Sequence, residues 1–321
     1  VNPPRISILV PCYNAAPFLG ATLESALAQS DAGSLEIIVV DDGSRDTSLA
    51  IAREFEPRGV RVIAQANRGA SAARNTAFAA SRGEFIQFLD ADDLLAPGKI
   101  AAQLARAARE PAGTVFTGRW GRFTADPSRA AFHDGNPLFA DLTPRDYLAR
   151  YGSNDCMMHP AAWLLPRAIV ESAGPWDERL SLNDDGEFFA RIVAASTNVA
   201  YCPDAVSLYR SALPTSLSAQ RSRNHLESAH LSLQLIVDEM TLLDDNPEMR
   251  RAAADLAQRF AYDYYPAAPH LVRDAENLAR SLGGSTLRPL GGRGFAALSR
   301  IVGWKLARRL QVLGDKFPGS A

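Results

Sequence analysis

Phe85-Ile86-Gln87-Phe88-Leu89-Asp90-Ala91-Asp92-Asp93-Leu94 passes from a short, nearly unbroken apolar run straight into three carboxylates within four residues. The apolar part, Phe85–Leu89, has the length and composition of a strand buried on both faces. Upstream, runs of the same kind stand at Ile6–Val10, Glu36–Val40 and Val60–Ala64, separated by helical patterns near 17–29, 46–56 and 70–81. Asp46 lies where an N-cap is wanted, and Gly83 where a helix would stop. This alternation predicts an α/β fold with a parallel, doubly wound sheet and right-handed crossovers. Such sheets bind ligands beyond the carboxyl ends of their strands. The residues to weigh are therefore Pro11–Asn14, Asp41–Ser44, Asn67–Ala70 and Asp90–Asp93.

From about 111 to 220 the rhythm changes. Val115–Gly118, Ala162–Leu165 and Asn198–Tyr201 read as strands, with short helices near 143–150 and 185–195 and Pro, Gly and Asp-rich loops between them. This mixed region is expected to extend the sheet and cover the crevice. Beyond 221 the pattern is helical, over 223–243, 247–262, 267–282 and 295–313, with breaks at Asp244–Pro247, Pro266–Pro269 and Gly283–Gly284.

The chain of 321 residues is 47% hydrophobic and 22% charged, which suits a globular core. A formal net charge of −2 gives nucleic acid no electrostatic footing as a partner. Cys12, Cys156 and Cys202 match no disulfide or zinc spacing and read as reduced thiols. No apolar run reaches the length of a membrane span. The strand at Ile6 leaves no room for a secretory signal, so a cytoplasmic protein is expected.

Three carboxylates at one strand end repel each other unless positive charge offsets them. A hard divalent cation, Mg²⁺ or Mn²⁺, bound through carboxylate and phosphate oxygens meets that need. The competing reading is a solvated, helix-capping turn before Pro97. Asp41-Asp42, after the second strand, can accept a bond from the imide N–H of uracil, or merely shape a turn. Tyr13, after the first strand, can stack on a nucleobase or pack as a core tyrosine.

Taken together, Ser7-Ile8-Leu9-Val10-Pro11-Cys12-Tyr13-Asn14, Ile38-Val39-Val40-Asp41-Asp42-Gly43-Ser44, Asn67-Arg68-Gly69 with Ala73-Arg74-Asn75, and Phe88-Leu89-Asp90-Ala91-Asp92-Asp93 resemble the family 2 inverting glycosyltransferases of GT-A fold. Order and spacing agree over residues 5–100, and more loosely to about 218. The resemblance implies a mostly parallel, mixed sheet flanked by helices. It implies a catalytic domain over 1–220, with a nucleotide-binding half at 1–100 and an acceptor-side half at 101–220. An all-helical extension would follow at 221–321. Tyr13 and Asp42 would contact the base, with Pro11, Asn14, Asp41 and Arg74 around the nucleotide. Asp90 would approach the ribose, and Ala91 would be among the residues binding the donor. Asp92 would ligate the metal on the donor diphosphate, and Asp93 would be a second carboxylate for metal or structure.

Ser181-Leu182-Asn183-Asp184-Asp185-Gly186-Glu187-Phe188-Phe189 resembles the family's Glu-Asp element, with Asp184 in place of the usual Glu and Asp185 on the catalytic base. A helix N-terminus lowers a carboxylate's pKa, so Asp185 is expected to be ionised. Trp163 and Trp176 are candidates for an acceptor-sugar wall, and His159 for an acceptor loop; each also reads as core. Leu208-Tyr209-Arg210-Ser211-Ala212-Leu213-Pro214-Thr215-Ser216-Leu217-Ser218 resembles a Tyr-Arg-x-His-x-x-Ser-x-Ser segment, but Ala212 stands at its His. Arg210 could pair with the diphosphate or form a surface ion pair.

The function expected is metal-assisted transfer of a sugar from a nucleoside diphosphate donor, UDP-linked, to a hydroxyl of a glycan or lipid-linked acceptor. The alternatives are a non-catalytic nucleotide-sugar or glycan-binding module and a sugar nucleotidyltransferase. The latter wants a Gly-rich phosphate loop that Pro11–Asn14 lacks. From 286 to 321 seven Lys/Arg (288, 293, 300, 305, 308, 309, 316) face one acid, Asp315. Segment 294–313 reads as an amphipathic helix packed on the body or a homo-oligomer partner. The alternative is that it lies, with Trp304 and Phe295, on the inner face of the plasma membrane.

Overall fold

The computed structural model describes residues 5–29, 32–212 and 222–316. In chain order the first part contains β1 (Ile6–Cys12), α1 (Leu19–Leu27), β2 (Leu35–Asp41), α2 (Ser48–Glu54), β3 (Val60–Ala64), α3 (Ala70–Ala80), β4 (Phe85–Phe88), β5 (Leu94–Leu95) and α4 (Lys99–Ala107). The middle adds β6 (Thr114–Phe123), β7 (Ala131–Phe132), α5 (Pro144–Ser153), β8 (Trp163–Pro166), α6 (Arg167–Ala173), α7 (Asp184–Ala195) and β9 (Asn198–Arg210). Five helices follow: α8 (Arg223–Leu243), α9 (Pro247–Tyr264), α10 (Pro269–Ser281), α11 (Arg293–Val302) and α12 (Trp304–Lys316).

Among the described residues the strands form one mixed sheet in the order β3-β2-β1-β4-β8-β6-β9-β5, with β7 on β6. β1 pairs in parallel with both β2 and β4, and β2 with β3. β8 runs antiparallel to β4 and to β6. β1 is buried from end to end, as its unbroken apolar run requires. The chain leaves β1 on one side for β2 and β3 and returns on the other for β4, so a crevice opens at the carboxyl ends of β1 and β4.

Several elements differ from the sequence reading. β3 is half exposed, because it forms the edge of the sheet. β6 and β9 run past their predicted ends by pairing with each other in parallel, across an irregularity between Gly118 and Arg119 that accommodates Pro203–Ala205. Gly118 is needed there, since a Cβ on it would lie 2.1 Å from the Ala205 carbonyl oxygen. Helices α4 and α6 lacked a predicted counterpart. The stretch 295–313 is two helices, broken at Gly303 with a φ of 79°.

The aromatic anchors of that last stretch also turn inward. Trp304 meets Tyr262 and Tyr265 edge-on at 4.8 and 5.2 Å, and Phe295 is buried under Arg308. The apolar cluster holding Phe188 and Phe189 of α7 continues through Leu226, Leu233, Ile236 and Met240 of α8 into Met249 and Phe260 of α9. Helices beyond 221 thus share a core with the sheet. Cys12 and Cys202 are buried and Cys156 half-buried, all as free thiols.

Gly118→Ala should lower stability by about 1–3 kcal/mol, the usual cost of a forced overlap. Gly20→Ala, a helical site with open space around it, should raise stability by roughly 0.5–1 kcal/mol. Urea denaturation of the two variants checks the contrast.

Candidate functional site

Arg74, on the buried face of α3, reaches from one side of the crevice to the other. Its Nη2 donates to Asp90 Oδ1 at 2.8 Å, and its Nη1 to Asp184 Oδ2 at 2.6 Å. The guanidinium also lies 4.3 Å from the centre of the Trp176 ring. Burial opposes its charge, but Asp90 and Asp184 outweigh that and hold its pKa above the ordinary value. One cation thereby ties the end of β4 to the start of α7. Asn75 adds a second tie: its side-chain oxygen accepts from Trp176 N and its amide donates to Trp176 O, both at 2.9 Å.

Asp185 follows Asp184 on the first turn of α7, preceded by Asn183 in the left-handed conformation with a φ of 57°. Helix α8 fixes this entry. Ser228 Oγ accepts from Ser181 N at 2.7 Å and Leu182 N at 3.1 Å, while Ser232 bonds both the side-chain amide and the carbonyl of Asn183 at 2.8 Å. Ser228 and Ser232 had no part in the sequence reading; serines in a long helix carry no signal until α8 is seen against α7. The expected pKa of Asp185 is also corrected. Burial and the Asp184 charge push it up to about 7 against the pull of Arg74, so the enclosed setting outweighs the helix terminus.

Asp42 is not a free acceptor for a base. It is buried, and it binds Gln65 Nε2 (2.7 Å) and Arg68 N (2.9 Å) through Oδ1 and Gly69 N (2.7 Å) through Oδ2. Its carboxylate shapes the Asn67–Gly69 turn that leads into α3. Asp41 holds Ser44 N through Oδ2 at 3.1 Å, while its buried Oδ1 has no partner among the described residues. Pro11 is buried in β1. Asn14, with a φ of 49°, accepts from Arg45 N at 2.8 Å through its side-chain oxygen and donates its own N–H to Ser44 Oγ at 3.0 Å. Tyr13 and Asn14 are exposed at this strand end, Tyr13 to 46%, at the mouth of the crevice.

Ala91 is buried beneath the turn, and its carbonyl accepts from Thr22. Asp93 points into the body. Its Oδ2 contacts His159 Nδ1 at 2.9 Å, and its Oδ1 accepts from Arg210 N at 2.8 Å. His159 Nε2 meets Ser207 Oγ at 2.8 Å. Burial drives the His159 pKa down to about 3 and, with Asp90, the Asp93 pKa well above the carboxylate range. Asp93 and His159 thus form an interior pin between the acidic turn, β8 and β9, not a ligand pair or an acceptor loop. Trp163 and Trp176 are buried as well, stacked on Phe189 at 4.6 Å and on Phe188 at 4.0 Å. Neither offers a wall to an acceptor.

Arg210 is held by carbonyls: Nε donates to Asp92 O at 3.0 Å and Nη1 to Thr124 O at 2.9 Å, with the guanidinium between the Phe18 and Phe123 rings. It forms no ion pair among the described residues, so the surface-pair alternative does not apply. Tyr209, quoted in the sequence only as part of a motif, lies within the field of the whole cluster. Burial, Asp93, Asp90 and Asp185 push its hydroxyl up to about 12. Ala212 has a φ of 61°, and 213–218 lie outside the described residues.

Asp92 differs from its neighbours. No other described residue donates a hydrogen bond to its side chain, and burial with Asp93 and Asp90 nearby pushes its pKa up to about 7. Hard carboxylate oxygens in this acid-rich setting fit a divalent cation such as Mg²⁺ or Mn²⁺. No three His, Cys, Asp or Glu side chains among the described residues form a complete cage, so such an ion would draw its other oxygens from diphosphate and water. A cavity of about 730 Å³ lies elsewhere, between Asn75, Phe78, Trp176, Glu187 and Arg191. Neither Tyr13 nor any of the carboxylates from Asp90 to Asp185 named above lines it.

Comparison with known proteins places this geometry. The model of the family described as glycosyl transferase family 2 matches residues 7–173, just over half of the chain. The succinoglycan biosynthesis protein ExoO of Rhizobium meliloti (strain 1021) is 28% identical over 98% of this chain and 88% of its own. For other curated relatives at 39–47% identity, the match spans only 26–42% of their length. Among solved structures, S. aureus TarS 1–349 in complex with UDP-GlcNAc superposes with a TM-score of 0.71 at 17% identity, covering 87% of this chain and 81% of that one. The mannosyltransferase PcManGT from Pyrobaculum calidifontis, in complex with GDP-Man and Mn²⁺, gives 0.53 at 19% identity, covering 98% and 89%. These likenesses carry the fold, and α7 lies beyond the family match.

Arg74→Met removes the cation shared by two half-buried carboxylates and should lower stability by about 2–4 kcal/mol. Arg74→Lys, a point charge able to serve one carboxylate at a time, should recover only part of that loss. Chemical denaturation of both variants tests the clamp.

Proposed function

The chain belongs to glycosyl transferase family 2, and from that premise we propose that it transfers a sugar from a nucleoside diphosphate donor, UDP-linked, to a hydroxyl of a glycan or lipid-linked acceptor, with inversion. The observation that carries this reading is the Arg74 clamp. It brings Asp90, beside Asp92, and Asp184, beside Asp185, to one guanidinium across a strand-end crevice. Donor diphosphate on the Asp92 side and acceptor on the Asp185 side would then share one reaction space.

Tyr13, exposed beyond β1, supplies a face on which the base stacks. The Asn67–Gly69 turn, fixed by Asp42, forms the neighbouring edge. Asp92, with Asp90, would hold Mg²⁺ or Mn²⁺, which when bound offsets the charge that develops on the departing diphosphate. TarS and PcManGT, whose complexes contain a UDP-sugar, and a GDP-sugar with Mn²⁺, support a nucleotide-sugar donor. Asp185 takes the proton of the acceptor hydroxyl as its oxygen attacks the anomeric carbon. A carboxylate held near 7 is well matched to that task at neutral pH. A non-catalytic nucleotide-sugar-binding module has one observation in its favour, Ala212 at the family's His. Turnover of a UDP-sugar by the purified chain removes it.

Asp185→Asn should leave UDP binding intact by calorimetry and cut transfer by about 10²–10⁴-fold; unchanged turnover would refute the assignment. In the native enzyme kcat/KM should fall about tenfold per pH unit below about 7. The stability effect has the opposite sense. A carboxyl raised from about 3.9 in the unfolded chain contributes stability below that value and loses it as pH rises through about 7. Asp185→Asn should therefore raise Tm relative to the native protein at pH 8, with the gain vanishing near pH 4.

A further inference from the structure

Eight large apolar side chains stand exposed among the described residues, and six of them fall between 290 and 313: Leu290, Ile301, Val302, Leu306, Leu310 and Leu313. That clustering sets α11 and α12 apart from the rest of the surface, where exposed apolar groups are scattered singly. Helix α12 is anchored from within. Trp304 packs on Tyr262 and Tyr265, Ala307 is fully buried, and Lys305 bonds Glu276 at 2.6 Å. At 100° per residue, Leu306, Leu310 and Leu313 then share the opposite side, with Arg309 exposed at its margin and its guanidinium 5.5 Å from the centre of the Tyr265 ring. Ile301, 81% exposed, and Arg300 add an exposed apolar and an exposed cationic side chain at the end of α11, just before the break at Gly303.

The charge of this segment is predominantly positive. Arg288, Arg300 and Arg309 are exposed, and the sequence from 286 to 321 holds seven cations against one acid. A symmetric dimer through this face would set the same arginines near their own copies, with Asp315 the one acid of the segment against seven cations. An anionic bilayer suits both features, because leucines enter the acyl boundary while arginines remain at the phosphates. Helix α12 is about 20 Å long, and no described helix is long and apolar enough to cross a membrane, so the contact is one of lying on the surface.

We propose that the outer face of α11 and α12 is a docking surface for anionic lipid, with Leu306, Leu310, Leu313 and Ile301 inserted and Arg300 and Arg309 at the headgroups. None of the residues of this face is among those named at the crevice, and the proposal stands whether or not the sugar-transfer reading holds.

Vesicle co-sedimentation of the whole chain tests it, using phosphatidylcholine mixed with phosphatidylglycerol against phosphatidylcholine alone. The expected result is binding to the mixed vesicles only, weakened by salt and by Arg300→Glu/Arg309→Glu. Leu306→Ser/Leu310→Ser should weaken it by about tenfold or more, with an unchanged sedimentation profile in solution. Ile301→Ser, at a corner with no packing role, gives a second variant whose fold is not at risk and should also weaken binding. Failure to bind mixed vesicles overturns the proposal, as does binding indifferent to the leucine and isoleucine changes. An oligomer that the leucine changes dissociate, without vesicle binding, assigns the face to a second copy and overturns it too.

Discussion

A single buried guanidinium sets the geometry of the crevice. Arg74 leaves α3 within an apolar environment where its charge is costly, and it is held there by Asp90, Asp184 and the face of Trp176. Each partner comes from a different part of the chain: the end of β4, the first turn of α7 and the loop before it. A shift of Asp90 or Asp184 would take a carboxylate away from its guanidinium partner, and a shift of Trp176 would take the ring face away from the cation. Trp176 is itself fastened by Asn75, the next residue on α3. Two adjacent helix positions therefore align the two sides of the crevice.

Around this clamp the acids divide by burial. Asp93 and Asp42 are enclosed and hold backbone and side chains in place: Asp93 pins β8 and β9 through His159 and Arg210, and Asp42 pins the turn before α3. Asp92 and Asp185 are the two whose pKa values are pushed up to about 7, mainly by burial and by neighbouring acids. Unequal environments give chemically identical side chains unequal roles.

The helices after 221 take part in this arrangement. Ser228 and Ser232 of α8 hold the left-handed entry to α7, and the apolar cluster runs on from α7 into α8 and α9. Support for Asp185 thus comes from a region beyond the family match at 7–173. The last two helices use one side for that packing and leave the other, leucine-lined and cationic, to the surroundings.

Local pattern alone fixed the four parallel strands, their order of appearance and the acidic turn after β4, because short β-branched runs between helical patterns pair in parallel, although β3 does so at the edge of the sheet and not in its centre. It also located the residues at the crevice, since strand ends in such sheets are where side chains leave the core. Which of those residues are available depended on contacts far apart in the chain. Asp42 meets Arg68, Asp93 meets His159, and Trp176 meets Phe188; the same residue types at the same spacing would read alike whether enclosed or open. The length of β6 and β9 was likewise a matter of partnership, as each continues only because the other lies beside it. The elevated pKa of Asp185 reverses the expectation from its helix terminus, because desolvation by surrounding elements outweighs a local dipole. Sequence specified the framework through periodicity, and tertiary packing decided exposure, pairing and protonation.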